Sequence, residues 1–248
     1  MSTKLGQNFL IDKNIAIKEV NFANISKNDI VLEIGPGNGI LTNILAEKAK
    51  KVIAVEIDKK LAENLVIPDN VEIINKDILK VDFDKISKFN KIVSNLPYQI
   101  SSPITFKILN YKFDLAVLIY QKEFADRLIA QPGSKDYSRL SVNIFYKANC
   151  KMLDNVSKTC FIPQPKVDSR IIRLIPRDKP AFYVINEEFF KDLVKILFNH
   201  RRKKINTIIN NNYNINLETI PFLENRVEDL SPKNIGKLCN LIYKKIYG

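Results

Sequence analysis

Between residues 30 and 120, the hydrophobic pattern alternates short β-branched runs with stretches whose apolar residues recur at helical spacing. The predicted strands are Ile30–Ile34, Val52–Glu56, Val71–Ile74, Lys91–Ser94 and Leu115–Tyr120. The predicted helices between them are Ile40–Lys50, Leu61–Leu65 and Pro103–Asn110. Such alternation is typical of α/β folds and predicts a parallel, doubly wound sheet with helices on both faces.

The hydrophobic pattern changes after residue 140. Val142–Ala148 and Val167–Ile175 are predicted as further strands, and pairing between them would give the sheet an antiparallel edge. Pro176–Pro180 is polar and bracketed by prolines, which is typical of a linker. Beyond it, helical spacing continues in Glu187–Asn199, Lys203–Asn210 and Pro232–Tyr247. The pattern therefore predicts one domain over residues 1–178 and a small, all-helical C-terminal domain over residues 179–248.

The composition is that of an ordinary globular protein. Of the 248 residues, 46% are hydrophobic and 27% are charged, which excludes a disordered or collagen-like chain. No apolar run approaches the ~18 residues of a membrane span, and the N-terminus lacks the apolar core of a signal peptide. We therefore expect a cytoplasmic protein without a membrane segment. Cys150, Cys160 and Cys239 lack metal-ligand spacing, so we expect reduced, mostly buried thiols and no metal.

The net charge of +12 favours a polyanionic partner, and nucleic acid is the first candidate. Lysines outnumber arginines by 31 to 8, and asparagine and isoleucine are also abundant, as an AT-rich coding sequence would produce. Charge alone is therefore only modest support for nucleic-acid binding.

Three of the seven glycines lie in one window between a predicted strand and a predicted helix: Gly35, Gly37 and Gly39. Glycines at such a turn permit positive φ and let a ligand approach the backbone closely, which indicates a cofactor loop. A dinucleotide fingerprint, G-x-G-x-x-G, would need a glycine where Ile40 stands. With Glu33 just before the glycines, the window instead resembles the first motif of S-adenosylmethionine-dependent methyltransferases.

Two acidic residues follow the next predicted strands. Glu56 ends the second strand about 20 residues after the loop, where a carboxylate can bind both hydroxyls of a ribose. Asp77 follows the third strand and could accept a hydrogen bond from an adenine amine, although a single aspartate there is also a common helix cap. Coming after Glu56, Asp77 favours a cofactor contact.

The segment Asn95-Leu96-Pro97-Tyr98 follows the fourth predicted strand, at the edge where ligands bind in open α/β sheets. An aromatic amine is a poor nucleophile because its lone pair is delocalised into the ring. The Asn95 side-chain oxygen and the Leu96 carbonyl could hold both amino hydrogens and favour a pyramidal nitrogen. Pro97 fixes the turn, and Tyr98 offers an aromatic face to the base. Positioning and dipoles would suffice for this chemistry, without a general base of tuned pKa.

Several motifs occur along the chain in the order found in one known family. They are Leu5–Leu10, Val31–Thr42, Asn95–Tyr98, Phe124–Leu128, Tyr137–Val142, Phe161–Ser169 and Phe198–Lys203. Over nearly its whole length, the chain thus resembles the ribosomal RNA adenine N6,N6-dimethyltransferases of the KsgA/RsmA and archaeal–eukaryotic Dim type. The resemblance implies a Rossmann-like methyltransferase fold, with the catalytic domain in residues 1–178 and a helical C-terminal domain in residues 179–248.

The resemblance also implies the residues of the site. Those expected to contact S-adenosylmethionine are Gln7, Asn8, Leu10, Gly35, Gly37, Glu56, Asp77 and Asn95. Of these, Gln7 and Asn8 would belong to an N-terminal segment that folds over the cofactor. The residues expected to hold the target adenine are Asn95, Leu96, Pro97 and Tyr98, with Phe161 stacking on its other side.

Six basic residues are predicted to contact RNA: Lys122, Arg127, Lys135, Arg139, Arg201 and Arg202. For Arg201 and Arg202, packing against the N-terminal lobe is the alternative. His200 is the only histidine and is expected to be a structural or surface residue, so triad or metal chemistry has no candidate base.

The activity implied by the resemblance is dimethylation of the amino group of two adjacent adenines near the 3′ end of small-subunit (16S-type) rRNA. The expected partner is that rRNA within an assembling 30S-type particle, and the expected enzyme is a monomer with a role in small-subunit biogenesis. One alternative is an erythromycin-resistance-type methyltransferase acting on large-subunit rRNA. Others are a non-catalytic nucleic-acid-binding factor on the same fold and, disfavoured by Ile40, a nicotinamide oxidoreductase.

Overall fold

The computed structural model describes residues 7–248, so Leu5 and Gly6 of the N-terminal motif lie outside it. Its strands are β1 (Phe9–Leu10), β2 (Ile30–Ile34), β3 (Lys51–Glu56), β4 (Val71–Asn75), β5 (Lys91–Asn95), β6 (Leu115–Gln121), β7 (Ala148–Val156), β8 (Phe161–Ile162) and β9 (Ser169–Pro176). Its α-helices are α1 (Lys13–Phe22), α2 (Ile40–Lys48), α3 (Lys59–Asn64), α4 (Ser101–Ile108), α5 (Lys122–Ile129), α6 (Arg139–Lys147), α7 (Glu187–Asn199), α8 (Ile205–Asn212) and α9 (Pro232–Tyr247).

Seven of the strands form one sheet in the order β4-β3-β2-β5-β6-β9-β7. The strands β4, β3, β2, β5 and β6 pair in parallel, and β9 pairs antiparallel with β6. Their near-continuous apolar runs suit strands that are buried on both faces, as in a parallel sheet covered by helices. From β2, the chain adds β3 and β4 on one side and then returns to add β5 and β6 on the other side, so the strand order reverses at β2. Open α/β sheets bind ligands at the carboxyl ends of the strands beside such a reversal.

The chain divides into two compact units. The first holds the described residues up to Ala125 together with Cys150–Pro176, and the second holds Asp126–Asn149 together with Arg177–Gly248. The first unit contains the sheet, and the second is almost entirely helical. The second has a core of its own, in which Val142 and Tyr146 of α6 pack with Phe190 and Leu193 of α7. The compact units therefore differ from the predicted domains in two respects: residues 126–149 group with the C-terminal segment, and the boundary lies after Pro176 and not after residue 178.

The predicted strand Val142–Ala148 is wrong, because this segment lies almost wholly in helix α6. Ser138 begins the helix with a capping box to Ser141, and six of the nine helical residues are buried. The β-branched and aromatic residues of this segment favour a strand by local propensity, whereas packing in the core of the second unit stabilises the helix. The antiparallel edge is present nonetheless: β9 pairs with β6, and β7 lies beyond β9.

No helix within residues 7–248 combines the length and the apolar character that a bilayer-spanning segment needs.

Candidate cofactor and substrate site

A cavity of about 390 Å³ opens at the carboxyl edge of the sheet, in the first compact unit. It is formed by the turns that follow β2, β3, β4 and β5, and by the N-terminal segment around β1. All eight predicted cofactor residues line it: Gln7, Asn8, Leu10, Gly35, Gly37, Glu56, Asp77 and Asn95. Leu96, Pro97 and Tyr98 also line it, so the structure brings the predicted cofactor and chemical sites together.

The glycine window forms a tight turn between β2 and α2. Gly35, Gly37 and Gly39 all have positive φ, at 71°, 58° and 80°. A Cβ added at Gly37 would lie 2.8 Å from the ring of Phe9, and one at Gly35 would lie 3.4 Å from Pro97. A side chain at Gly37 would therefore clash with Phe9, whereas at Gly35 it is the positive φ that favours glycine; both glycines keep the backbone at the cavity wall.

Glu56 is 2% exposed at the end of β3. Its Oε1 accepts a hydrogen bond from the Asp58 amide at 2.9 Å, and its Oε2 accepts one from the Gly37 amide at 3.4 Å. Burial raises the pKa of Glu56, whereas these amide hydrogen bonds act in the opposite direction. Two amides orient the carboxylate, and each oxygen keeps lone-pair capacity for a ribose hydroxyl.

Asp77 has the capping role and lies where the cofactor role would need it. Its Oδ1 accepts a hydrogen bond from the Leu79 amide at 2.9 Å, which is the turn-capping role. The same residue lines the cavity. Because a carboxylate accepts several hydrogen bonds, capping the turn leaves acceptor capacity for a ligand amine.

The side chain of Asn95 presents an unpaired acceptor in the wall of the cavity. Its Nδ2 donates to the Asn8 carbonyl at 3.3 Å, and Asn8 Nδ2 donates to the Pro163 carbonyl at 2.6 Å. These contacts orient the Asn95 amide. Its Oδ1 is buried and has no hydrogen-bond partner among residues 7–248. A buried acceptor without a partner costs free energy, so an N–H donor on a ligand is the natural complement.

The neighbours of Asn95 are held firmly. Leu96 is 1% exposed, and the Pro97 carbonyl accepts a hydrogen bond from the Ile100 amide at 3.1 Å. The hydroxyl of Tyr98 forms a hydrogen bond with Ser169 Oγ at 2.8 Å, and burial raises the pKa of the tyrosine. The ring of Tyr98 thus lies at the cavity with both its backbone and its hydroxyl anchored.

Phe161 differs from the other predicted site residues. It pairs with Leu10 in the two-stranded sheet of β1 and β8, is 1% exposed, and packs in the hydrophobic core. It is not among the residues that line the cavity. Its stacking on an adenine would need movement of the ring and stays a prediction.

Comparisons with known proteins agree with this geometry. A family model described as ribosomal RNA adenine dimethylase matches residues 1–244. The chain belongs to this family. It is 48% identical to the probable ribosomal RNA small subunit methyltransferase A of Methanococcus aeolicus over 263 residues, which cover 98% of this chain and 97% of the relative. The corresponding protein of Pyrococcus furiosus is 42% identical over 251 residues, with 95% and 89% covered.

Two solved structures are similar to this chain in fold. A dimethyladenosine transferase from Plasmodium falciparum has a TM-score of 0.81 and 31% identity, over 96% of this chain and 98% of that one. The 23S rRNA methyltransferase ErmE has a TM-score of 0.71 and 28% identity, over 95% and 99%. The fold is the Rossmann-like fold of S-adenosylmethionine-dependent methyltransferases, as the sequence predicted. Membership of the dimethylase family rules out the nicotinamide oxidoreductase alternative.

Glu33, which the sequence marked as a motif residue but did not place among the cofactor contacts, is also a cavity residue. It lines the floor of the cavity, is 1% exposed, and its Oε2 has no partner among the described residues. Burial raises the pKa of Glu33 to about 8, the Thr42 hydroxyl lowers it, and nearby Glu56 adds to the increase. The signal was present, because Glu33 stands directly before the glycine window.

The basic residues predicted to contact RNA fall into two groups. Lys122, Arg127, Lys135, Arg139 and Arg202 are exposed, Lys122 in the first compact unit and the others in the second. Their contact with RNA stays a prediction.

Arg201 instead makes its contacts within the second compact unit. Its Nη1 donates to the Lys135 carbonyl at 2.5 Å and to the Tyr137 carbonyl at 3.1 Å, and its Nε lies 3.6 Å from a carboxyl oxygen of Glu228. The structure thus favours packing for Arg201, inside its own unit. His200 is exposed directly after α7, as expected of a surface residue.

Proposed function

We propose that this protein uses S-adenosylmethionine to dimethylate the amino groups of two adjacent adenines near the 3′ end of small-subunit rRNA, and so takes part in small-subunit biogenesis. The observation that carries the proposal is the oriented and unpartnered Asn95 Oδ1 beside the aromatic ring of Tyr98. This pair complements a planar base that carries an amine.

The cavity fits the cofactor. The Gly37 backbone lies at the wall where a side chain would clash with Phe9, and Glu56 presents a buried, amide-oriented carboxylate. Glu56 would hold the ribose hydroxyls, Asp77 the adenine amine, and the backbone of Gly35 and Gly37 would line the remainder. When bound, S-adenosylmethionine supplies an electrophilic methyl group.

The protein's own groups would activate the target amine by orientation. Asn95 Oδ1 and the Leu96 carbonyl would accept the two amino hydrogens, which favours a pyramidal nitrogen with its lone pair directed at the methyl donor. Tyr98 would stack on the base and fix its plane. Methylation makes the nitrogen acidic before its proton leaves, so no base with a shifted pKa is required. Preorganised acceptors and positioning would thus supply the rate enhancement.

The choice of small-subunit rRNA rests on the relatives. The Methanococcus and Pyrococcus proteins are named small subunit methyltransferases, and the Plasmodium transferase superposes better than ErmE. These likenesses favour small-subunit rRNA over the large-subunit alternative. The net charge of +12 suits an RNA partner. We further propose a cytoplasmic monomer that acts on an assembling 30S-type particle.

Mapping of methylated adenines tests the proposal. Purified protein and S-adenosylmethionine are incubated with small-subunit particles, with free small-subunit rRNA and with large-subunit rRNA, and each adenine is then examined. We expect two adjacent dimethylated adenines near the 3′ end of the small-subunit rRNA. Modification of large-subunit rRNA alone would favour the erythromycin-resistance type, and cofactor binding without modification of any RNA would favour a non-catalytic factor.

A further inference from the structure

The aromatic ring of Tyr98 is anchored at both ends. At its backbone end, Tyr98 begins a short 3-10 turn after Pro97, closed by the hydrogen bond from the Ile100 amide. At its other end, the phenol hydroxyl shares a 2.8 Å hydrogen bond with Ser169 Oγ. A tyrosine side chain has only two rotatable bonds to the ring, so contacts at both ends leave the ring little freedom.

Ser169 is itself held by the sheet. It is the first residue of β9, is 0% exposed, and pairs opposite Gln121 of β6. The preceding Asp168 adds two anchors, because its carbonyl accepts from the Lys122 amide and its Oδ1 accepts from the Lys158 amide, both at 2.9 Å. The hydroxyl that meets Tyr98 therefore belongs to the rigid scaffold.

We propose that Ser169 is a positioning residue for methyl transfer: its hydroxyl fixes the plane of the Tyr98 ring, and thereby the plane in which the target adenine stacks. This inference rests on the proposed function. Stacking itself needs only the ring, but a ring held in advance presents the base at one angle to Asn95 Oδ1. Reaction rates depend steeply on such angles, and a supporting contact of this kind maintains them.

Ser169→Ala tests the tether. The variant leaves the Tyr98 hydroxyl without its buried partner. The ring would therefore turn until the hydroxyl can form a hydrogen bond with water. We expect the single-turnover rate at saturating RNA to fall roughly three- to tenfold, the scale of one lost hydrogen bond. The affinity for S-adenosylmethionine should stay the same, because Ser169 is not among the residues that line the cavity.

The double variant separates positioning from a general loss of packing. Tyr98→Phe keeps the ring and removes the same hydrogen bond, so it should lower the rate to a similar extent. If Ser169 acts through the Tyr98 hydroxyl, Ser169→Ala added to Tyr98→Phe should cause no further loss of rate. Multiplying losses in the double variant would overturn the proposal.

Thr105 supplies a matched control. Its hydroxyl forms a 2.7 Å hydrogen bond with the hydroxyl of Tyr120, both residues are fully buried, and neither is among those that line the cavity. Thr105→Val removes a buried hydroxyl–tyrosine contact of the same kind. It should lower the thermal unfolding temperature and leave the single-turnover rate unchanged. A rate loss equal to that of Ser169→Ala would assign the Ser169 effect to general destabilisation.

A spectroscopic readout keeps the tether testable apart from activity. With tyrosine labelled by 13C at the ring carbon that bears the hydroxyl, the Tyr98 resonance is identified by its absence in Tyr98→Phe. We expect this resonance to shift in Ser169→Ala and to keep its position in Thr105→Val. A resonance that does not move would show that the hydrogen bond is absent. A shifted resonance with a wild-type rate would show that the hydrogen bond exists but does not affect catalysis, and would overturn the proposal.

Inactivity of the wild-type enzyme on every rRNA would instead contradict the proposed function, and with it any role of Ser169 in methylation.

Discussion

The cavity of the first unit and the Arg201 cluster of the second unit satisfy their polar groups in opposite ways. In the cavity, Asn95 Oδ1 and Glu33 Oε2 are buried without partners among the described residues. In the cluster, by contrast, the Arg201 guanidinium meets the carbonyls of Lys135 and Tyr137 and lies near Glu228. Both regions carry motifs of the same family.

The difference indicates which motif faces a ligand. Arg201 directs its Nη1 donors and its charge at groups of its own unit, so it stabilises that unit and has less capacity left for a partner. A buried group left without a partner costs stability, and a ligand that supplies the missing hydrogen-bond partner recovers that cost. The cavity therefore shows the features of a binding site. The Arg201 cluster shows those of a group that connects segments within its own unit.

The largest effect is expected at Asn95. Asn95→Ala removes the preorganised acceptor, and loss of one such hydrogen bond at a reacting centre typically lowers the rate by about 10²–10³. Single-turnover methylation of small-subunit particles measures this at a saturating concentration of S-adenosylmethionine, because Asn95 is also an expected cofactor contact; calorimetry sets that concentration. A wild-type rate in Asn95→Ala would contradict the amine-holding mechanism and leave the segment as a simple turn.

Replacement of Glu33 is expected to raise the stability of the protein at high pH. Its pKa is raised to about 8 in the folded state, so the protonated form is favoured there while the unfolded chain ionises at lower pH. Stability is therefore complete at low pH and is lost as the pH rises from about 4.5 towards 8. Glu33→Gln should not show this loss. The free energy of unfolding of the variant, relative to that of the wild type, should therefore be higher at pH 8 than at pH 5 by roughly 2–4 kcal/mol.

Thermal unfolding of both proteins between pH 5 and pH 9 measures the Glu33 effect. Glu47→Gln, at an exposed position of α2, is the matched control for the change in charge. The same stability difference at every pH would show that Glu33 is not held in a protonated form.

A smaller effect is expected at Glu56. Glu56→Ala removes the amide-oriented carboxylate and should weaken S-adenosylmethionine binding by about 1.5–3 kcal/mol, the scale of hydrogen bonds to a charged group. Isothermal calorimetry measures the affinity, and Glu63→Ala, at an exposed position of α3, is the control of equal charge. Unchanged affinity in Glu56→Ala would remove the ribose assignment.

The smallest effects are expected at Arg201 and Arg202, and they should differ in kind. Arg201→Ala loses contacts within its unit and should lower the free energy of unfolding by about 1–2 kcal/mol, with no change in the salt dependence of RNA binding. Arg202→Ala should leave stability unchanged and, if Arg202 contacts a phosphate, reduce the slope of log K against log salt by about 1. A reduced slope in Arg201→Ala would contradict the comparison between the two regions.

The sequence predicted the sheet well because its strands are buried on both faces and bounded by turn residues. The predicted strands Ile30–Ile34 and Leu115–Tyr120 agree with β2 and β6 to within one residue. It failed at Val142–Ala148, because the β-branched and aromatic residues of α6 favour a strand by local propensity and only packing in the core of the second unit stabilises the helix.

The sequence by itself determined the parallel sheet, the glycine turn and the residues that meet at the cavity. Parallel strands place their carboxyl ends together, so residues that follow separate strands converge without further information. Only the tertiary structure decided which polar groups remain unpartnered. Asn95 meets Asn8, Arg201 meets Glu228, and Tyr98 meets Ser169. Each partner is far from its residue in the chain. Such pairings follow from packing, because local patterns carry no information about which distant polar atoms come into contact.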